Sequence, residues 1–399
     1  MYDREMYKKG LRNGIIITSL VAIFVIGCIS LIYLNSSKSA AILGADPVKV
    51  RFIQSVIDKY YYNEVDDEAR AEGIYKGMIA GLDDEYAEYF TAEEYKKLKE
   101  TTSGSFSGVG MVLSREEDGR IIVQSVYEGS PAEKAGMKAE DILVAAGDVK
   151  ASECETVSDF AMAVRGEIGS ELKLTYIRDG EEQTVTMVRE NIDIKSVEYE
   201  MMDDGIGYLY ITDFSENTFE QFKAAMEDLE SQGMKGVIFD LRYNGGGTMD
   251  AAVDMLDYLL PEGLITYIED KNGNKQEFKS DAEHYVDMPM VVLTTENTAS
   301  ASEIFTAALR DYDCATIVGT KTYGKGVVQS LVELKDGSAV KVTSAKYFTP
   351  KGENIDKVGI EPDIKLEYEY LGDDNQDYDE AYDNQIQKGI EVLREEINK

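Results

Sequence analysis

The sequence predicts an α/β protein whose core alternates strands and helices, with a smaller strand-rich domain ahead of that core. Two observations carry this. An apolar strand, Ile206-Gly207-Tyr208-Leu209-Tyr210-Ile211, is followed by a helical face of Phe219, Phe222, Met226 and Leu229, a closing Gly233 and a continuously apolar strand from Gly236 to Leu241. Strands alternating with helices and no hairpin turns specify an α/β core. Farther on, the apolar run Met290-Val291-Val292-Leu293 meets small polar residues and turns helical, with Ile304, Ala307, Ala308 and Leu309 at helix spacing, before a second apolar run, Ala315 to Gly319.

At 399 residues the chain is long enough for two or three domains, and 43% hydrophobic residues is a globular composition. A net charge of −35 argues against nucleic acid, whose binding needs a basic footprint. The three cysteines, Cys28, Cys154 and Cys314, are too scattered for a disulfide framework or a metal site. No metal, nucleotide or other cofactor is implied.

Gly14 to Leu34 is 21 residues without a charge, long enough to cross the hydrocarbon core of a bilayer. Arg4, Lys8, Lys9 and Arg12 precede it, which keeps the N-terminus cytoplasmic and places the rest of the chain outside. A cleaved signal peptide or a lipid-attached Cys28 is the alternative, but the apolar run continues past Cys28, which favours an uncleaved anchor. Residues 1–36 are thus read as cytoplasmic tip and anchor, and 37–103 as a helical region. Val48, Phe52, Ile53, Val56 and Ile57 form one stripe there, and Ile74, Met78 and Ile79 another.

Thr101 to Ser107 is a polar linker. Residues 104–190 then carry Gly108-Val109-Gly110-Met111, the segment Gly129-Ser130-Pro131-Ala132-Glu133-Lys134-Ala135-Gly136-Met137, and a strand pair around Asp179-Gly180. The core spans 191–365. Its second strand ends in Asp240-Leu241-Arg242-Tyr243-Asn244-Gly245-Gly246-Gly247, where glycines permit close backbone approach to a ligand. As a phosphate loop this is weak, because no lysine follows the glycines. The acidic, then helical, tail 366–399 has Ile386, Ile390, Leu393 and Ile397 on one face; it either docks on the core or mediates assembly.

A strand, then a serine at the turn into a helix, exposes a hydroxyl beside unpaired N–H groups and a positive dipole end. An acyl-transfer oxyanion could be stabilised there. The sole histidine, His284, lies in a polar segment with no sign of a buried relay, so a Ser-His-Asp triad has little support. The remaining base is a lysine, which works near neutral pH only when desolvated. Lys325, in Gly324-Lys325-Gly326-Val327-Val328-Gln329, is either such a base or a hairpin lysine pointing at solvent.

The segment Ala299-Ser300-Ala301-Ser302-Glu303, with Gly324-Lys325-Gly326-Val327-Val328-Gln329, resembles the carboxy-terminal processing peptidases, the tail-specific protease family. The family's nucleophile and base are 25 positions apart, which selects Ser300 with Lys325 rather than Ser302. Thr298 stands where the family often has a serine. The resemblance implies that Gln329 orients the base, which needs a bend near Gly326, since four residues of ideal strand span about 13 Å. It implies an oxyanion hole from the N–H groups of Gly246 and Ala301. Tyr243 and Gly245 depart from the family's Asp-Leu-Arg-Asn-Asn-Pro-Gly-Gly pattern, and Gly245 in place of proline makes that loop less rigid. Residues 104–190 resemble a PDZ domain, which adds a peptide as an extra strand and holds its terminal carboxylate on backbone N–H groups. The binding loop would be Gly108, Val109, Gly110 and Met111. Arg165 matches an arginine the family uses near the bound tail, or is a solvated helix-end arginine.

The implied whole is a crotonase- and Clp-protease-like core with an inserted PDZ domain, an N-terminal helical region and a transmembrane helix. Its implied activity is that of a membrane-anchored serine endopeptidase with a Ser-Lys dyad, acting without ATP on flexible C-terminal tails of extracytoplasmic proteins. A homodimer or higher homo-oligomer would fit the N-terminal region. Two rivals are a non-catalytic PDZ scaffold with a degenerate core and a crotonase-like acyl-thioester enzyme.

Overall fold

The computed structural model describes residues 46–281, 283–373 and 378–399, so the apolar segment Gly14–Leu34 and Cys28 lie outside the described residues. Among the described residues no helix is long and apolar enough to cross a membrane. The chain divides into two compact units at Gly77.

The first unit contains helix α1 (Pro47–Tyr60) and most of helix α2 (Asp67–Ala80). Asp46 caps α1 by accepting the Val48 N–H, and proline opens the helix, where its missing N–H costs nothing. Arg70 on α2 pairs with Asp67 and reaches Asp58 of α1. The apolar stripe of α1 is present as a helix face, yet Val48, Phe52 and Ile53 are exposed in the single chain.

The second unit begins with strand β1 (Glu88–Phe90) and helix α3 (Ala92–Ser103), whose capping box joins Thr91 and Glu94. Strand β2 (Ser105–Gly108) leads into a β-rich domain. It contains β3 (Met111–Arg115), β4 (Ile121–Val126), a short helix α4 (Pro131–Lys134), β5 (Ile142–Ala146), β6 (Val149–Lys150), α5 (Val157–Val164), β7 (Glu171–Arg178) and β8 (Glu181–Val188). The sheet order is β3-β4-β5-β7-β8, with β6 on β5, so β3 is an edge strand with α5 packed near it. Phe160, Val123, Leu172 and Leu174 fill the core of this domain. Strand β9 (Glu190–Asp193) returns antiparallel to β2 and closes the insertion.

The main core then alternates as the sequence predicts. It runs β10 (Val197–Met202), β11 (Ile206–Ile211), α6 (Thr218–Ser231), β12 (Gly236–Asp240), α7 (Met249–Leu259), the hairpin β13 (Gly263–Asp270) and β14 (Lys275–Ser280), β15 (Met290–Thr294), α8 (Ala301–Asp311) and β16 (Ala315–Gly319). After these come β17 (Val327–Glu333), β18 (Ala339–Phe348), β19 (Ile364–Lys365) and α9 (Asn384–Ile397). The main sheet is β10-β11-β12-β15-β16-β19, parallel except for the β10–β11 pair. A second sheet is centred on β18, which pairs with β1, β13 and β17.

Parallel strands need cover on both faces, which is why β12 and β15 are buried at every residue. On one face α6, α7 and α8 pack through Phe222, Met255, Phe305 and their neighbours. On the other, α9 lays Ile386, Ile390 and Leu393 against Ile238, Val291, Leu293 and Val318. The tail helix therefore docks on the core.

Candidate active site

Strand β15 delivers the chain to a tight turn, and Ser300 stands at its exit with φ 57° and ψ −118°. Such a conformation is strained for a residue with a Cβ, by about 1–3 kcal/mol, and persists only where its surroundings enforce it. Glu303, fully buried one turn into α8, supplies the enforcement. Its Oε2 accepts the Ser300 N–H (2.9 Å) and the Lys325 N–H (2.8 Å), and its Oε1 accepts the Thr322 hydroxyl (2.5 Å) and the Gly324 N–H (2.8 Å). One carboxylate thus joins the backbone of the serine turn to the loop that carries the lysine. Tyr347 of β18 adds a second tie, its hydroxyl reaching the carbonyl oxygens of Lys325 (2.6 Å) and Ser300 (3.2 Å).

The two serines of the motif separate by environment. Ser302 is fully buried and donates its hydroxyl to the Asn244 carbonyl (3.0 Å). Ser300 lines a cleft of about 280 Å³ with Gly247, Met249, Ile304, Val328 and Gln329. Thr298 is also buried and donates to the Leu241 carbonyl (2.8 Å), fastening the turn to the end of β12.

Lys325 does not point freely to solvent. Its ammonium lies 4.8 Å from the centre of the Tyr86 ring. Burial lowers its pKa from the ordinary lysine value and repulsion from Lys341 lowers it further, while Glu303 and Glu85 oppose the shift. Among the described residues no hydrogen bond joins the Lys325 ammonium to Ser300. Gln329 does not hold the lysine in this structure either: its Nε2 reaches the Val327 carbonyl at 3.4 Å. The irregularity in this strand is a β-bulge between Val328 and Gln329 rather than a bend at Gly326, and β17 begins only at Val327, which leaves Lys325 in the preceding loop.

The glycine loop lies against the serine. A methyl group on Gly246 would sit 2.7 Å from the Ala299 carbonyl oxygen, 2.8 Å from Ser300 Cβ and 3.0 Å from the Ala301 nitrogen. Only glycine fits there, at φ 105°. The Gly246 N–H, however, donates to Asn244 Oδ1 (2.9 Å), so that donor is engaged within its own loop. Ala301 opens α8 and is buried.

In the β-rich domain, Gly108 is paired to Glu190 in the β2–β9 ladder, and Met111 opens β3. Val109 and Gly110 lie between them, their carbonyls accepting from Ala132 and Tyr127. Arg165 caps the C-terminal end of α5, and its side chain, 37% exposed, pairs with Glu100 of α3 and stacks 5.1 Å from the centre of the Phe106 ring. His284 stacks on Tyr258 at 3.7 Å and donates from Nδ1 to the Tyr258 carbonyl (2.8 Å). It joins the end of α7, not the serine turn. Among the described residues no group of three or more His, Cys, Asp or Glu is arranged to hold a metal ion.

Glu303, Asn244, Tyr347 and Tyr86 had no role in the sequence reading. The first carried a signal, since a serine followed three residues later by glutamate is a capping-box pattern. Asn244 carried one too, since an asparagine that accepts the N–H two residues on forms an Asx turn; Tyr347 and Tyr86 act through contacts that no local spacing encodes.

Residues 205–366 match the family model for peptidase family S41, residues 107–188 a PDZ domain, and residues 34–94 the activating protease CtpB N-terminal domain. The chain is 38% identical over 354 residues to the carboxy-terminal processing protease CtpA of Bacillus subtilis, covering 88% of this chain and 75% of that one. It is 34% identical over 360 residues to a probable CtpA-like serine protease of Staphylococcus aureus, covering 89% and 72%. Among solved structures it is similar to a photosystem II D1 C-terminal processing protease, at 30% identity and a TM-score of 0.48 over 82% of this chain and 89% of that one. The chain carrying the Ser300 turn belongs to peptidase family S41, the carboxy-terminal processing proteases, and is a serine-type peptidase with a PDZ domain.

Proposed function

We propose that this peptidase is a membrane-anchored endopeptidase in which Ser300 and Lys325 form the catalytic dyad. The observation that carries the assignment is the Glu303 carboxylate, which fastens the backbone of a strained, cleft-lining serine to that of a lysine whose pKa is lowered by burial. Ser300 attacks the scissile carbonyl; neutral Lys325 takes the hydroxyl proton and returns it to the leaving amine. The Ala301 and Gly246 N–H groups receive the oxyanion, which for Gly246 requires Asn244 to release it. Gln329 acts as the positioning residue for Lys325 once substrate fills the cleft it shares with Ser300. Catalytic hydrogen bonds that are long or absent without substrate commonly tighten in the reacting complex.

Substrate is an unstructured C-terminal tail. The free edge of β3 beside α5 suits strand addition, and the Gly108–Met111 loop is the receptor for the terminal carboxylate, with Arg165 bordering it. The uncharged segment Gly14–Leu34 anchors the chain, with the catalytic part on the extracytoplasmic side. The exposed stripe of α1 serves self-association.

The test is cleavage of an unfolded reporter ending in an apolar tail by the detergent-solubilised full chain, without nucleotide and with chelator present. Ser300→Ala and Lys325→Ala should each reduce turnover by about 10³-fold or more. Cleavage that survives both substitutions removes the dyad. Binding of the tail without cleavage by the parent favours the scaffold reading.

A further inference from the structure

On the sheet edge bordered by β10, a second cleft of about 520 Å³ opens between that strand and the segment leading into α9. Six tyrosines line it: Tyr199, Tyr208, Tyr210, Tyr243, Tyr368 and Tyr378. Glu198, Glu200 and Glu380 line it too, and among the described residues none of the three forms an ion pair with lysine or arginine. The one cation present is spoken for. Arg242 is buried, pairs with Asp240 and Asp383, and lies 5.6 Å from the centre of the Tyr368 ring. Together these six ionised groups would leave a formal charge of −4 around aromatic rings.

Aromatic faces combined with uncompensated carboxylates attract organic cations, because ring quadrupole and charge act on the same ligand. The carboxylates carry a further sign of an absent partner. Burial, the nearby Glu200 carboxyl and repulsion from Asp379 and Asp383 push the Glu380 pKa up to about 7. Two carboxyl groups meeting in this way gain from a cation placed between them. A divalent metal ion is not the match, since the described carboxylates do not assemble into a metal-ligand group.

The geometry points to this tyrosine-lined cleft as a second binding site, separate from the Ser300 cleft, that takes the ammonium group of an organic cation. The ligand is a free quaternary or primary amine or the side chain of a lysine in a polypeptide; both present the same chemistry. Tyr243 and Arg242 belong to the loop whose other end places Gly246 against Ser300, so the cleft borders the segment that carries the proposed oxyanion donor.

The site is tested by saturation-transfer NMR on the full chain with tetramethylammonium chloride, against tert-butanol as the neutral isostere, at fixed ionic strength. Saturable binding of the cation alone is expected. Tyr243→Leu, at an exposed position that leaves the core intact, should weaken it roughly three- to thirtyfold, the range for one cation–π contact. The double variant Glu200→Gln with Glu380→Gln should weaken it further, with circular dichroism confirming that both variants fold. Competition by Nα-acetyl-lysine methylamide supports the site and assigns its ligand to a polypeptide side chain. Failure to compete, with tetramethylammonium still bound, supports the site and assigns it to a free quaternary amine. Equal binding of tert-butanol, no saturable binding, or binding unchanged by all these substitutions overturns it. None of these readouts depends on peptide cleavage.

Discussion

The serine side of the active site and the lysine side are held by the same carboxylate yet finished to different degrees. Around Ser300, the turn is locked: Thr298 is tied to Leu241, Ser302 to Asn244, and the Ser300 N–H to Glu303. Around Lys325, Glu303 fixes the backbone, but the ammonium rests on Tyr86 and Gln329 turns to Val327. The Gly246 N–H, the proposed oxyanion donor, is occupied by Asn244. The main-chain path is fixed on both sides, whereas the Lys325 ammonium, the Gln329 amide and the Gly246 N–H are engaged by other partners. Substrate therefore has little main chain to rearrange and several weak contacts to displace.

The sharpest way to break this contrast is at the contact between its halves. Gly246→Ala forces a methyl into the Ala299 carbonyl and Ser300, at a φ that disfavours any side chain. Turnover should fall by at least about 10²–10³-fold, the cost of losing one oxyanion donor, with reporter binding retained. Unchanged turnover would mean that the glycine loop lies outside the reaction.

Glu303→Gln keeps the shape and removes half of the acceptors, leaving two of the four donors facing an amide N–H₂. A loss of roughly 2–6 kcal/mol in unfolding free energy is expected, at about 1–3 kcal/mol for each unsatisfied buried group. Turnover should fall with it, by about 10²-fold for misplacement of the reacting groups. A stable, active variant would show that the carboxylate does not tie the halves together.

Lys325→Met probes the lysine side through stability. The folded pKa of Lys325 lies below its ordinary value of 10.5, so between those values the unfolded chain binds more protons than the folded one. The parent is penalised at low pH, and the penalty fades as pH rises toward 10.5. Denaturation at pH 7 and pH 10 should find Lys325→Met more stable than the parent at pH 7, with the difference narrowing at pH 10. A gap that widens with pH would contradict burial of the ammonium.

The smallest effect belongs to Gly245→Pro. A Cβ at this position meets no atom within 4 Å and φ is not left-handed, so proline has room. Stiffening the loop should stabilise the fold by about 0.4–1 kcal/mol and raise turnover about two- to fivefold. No gain would show that the loop is already ordered enough by the Asn244 bond.

The sequence made one side of this comparison far more legible than the other. Strand, turn and helix around Ser300 are local, and their apolar periods and small residues announce them; the 25-residue spacing to Lys325 then follows from family resemblance. What surrounds the lysine is not local. Tyr86 is 239 positions away, and Tyr347, which holds the Lys325 carbonyl, stands on β18, 22 positions on. Arg165 read either as an arginine near the bound tail or as a solvated helix-end arginine, because its partner, Glu100, is 65 positions away. The α9 stripe was visible, but only the assembled sheet shows what it covers.

That helix has a consequence for biosynthesis. The sheet's second face, with Ile238, Val291 and Leu293, is sealed by Ile386, Ile390 and Leu393. These residues are translated after every strand they cover. A nascent chain can display its serine turn well before it can close the layer behind it. Until that helix has emerged, the apolar underside of the sheet stays open to water and to non-native partners.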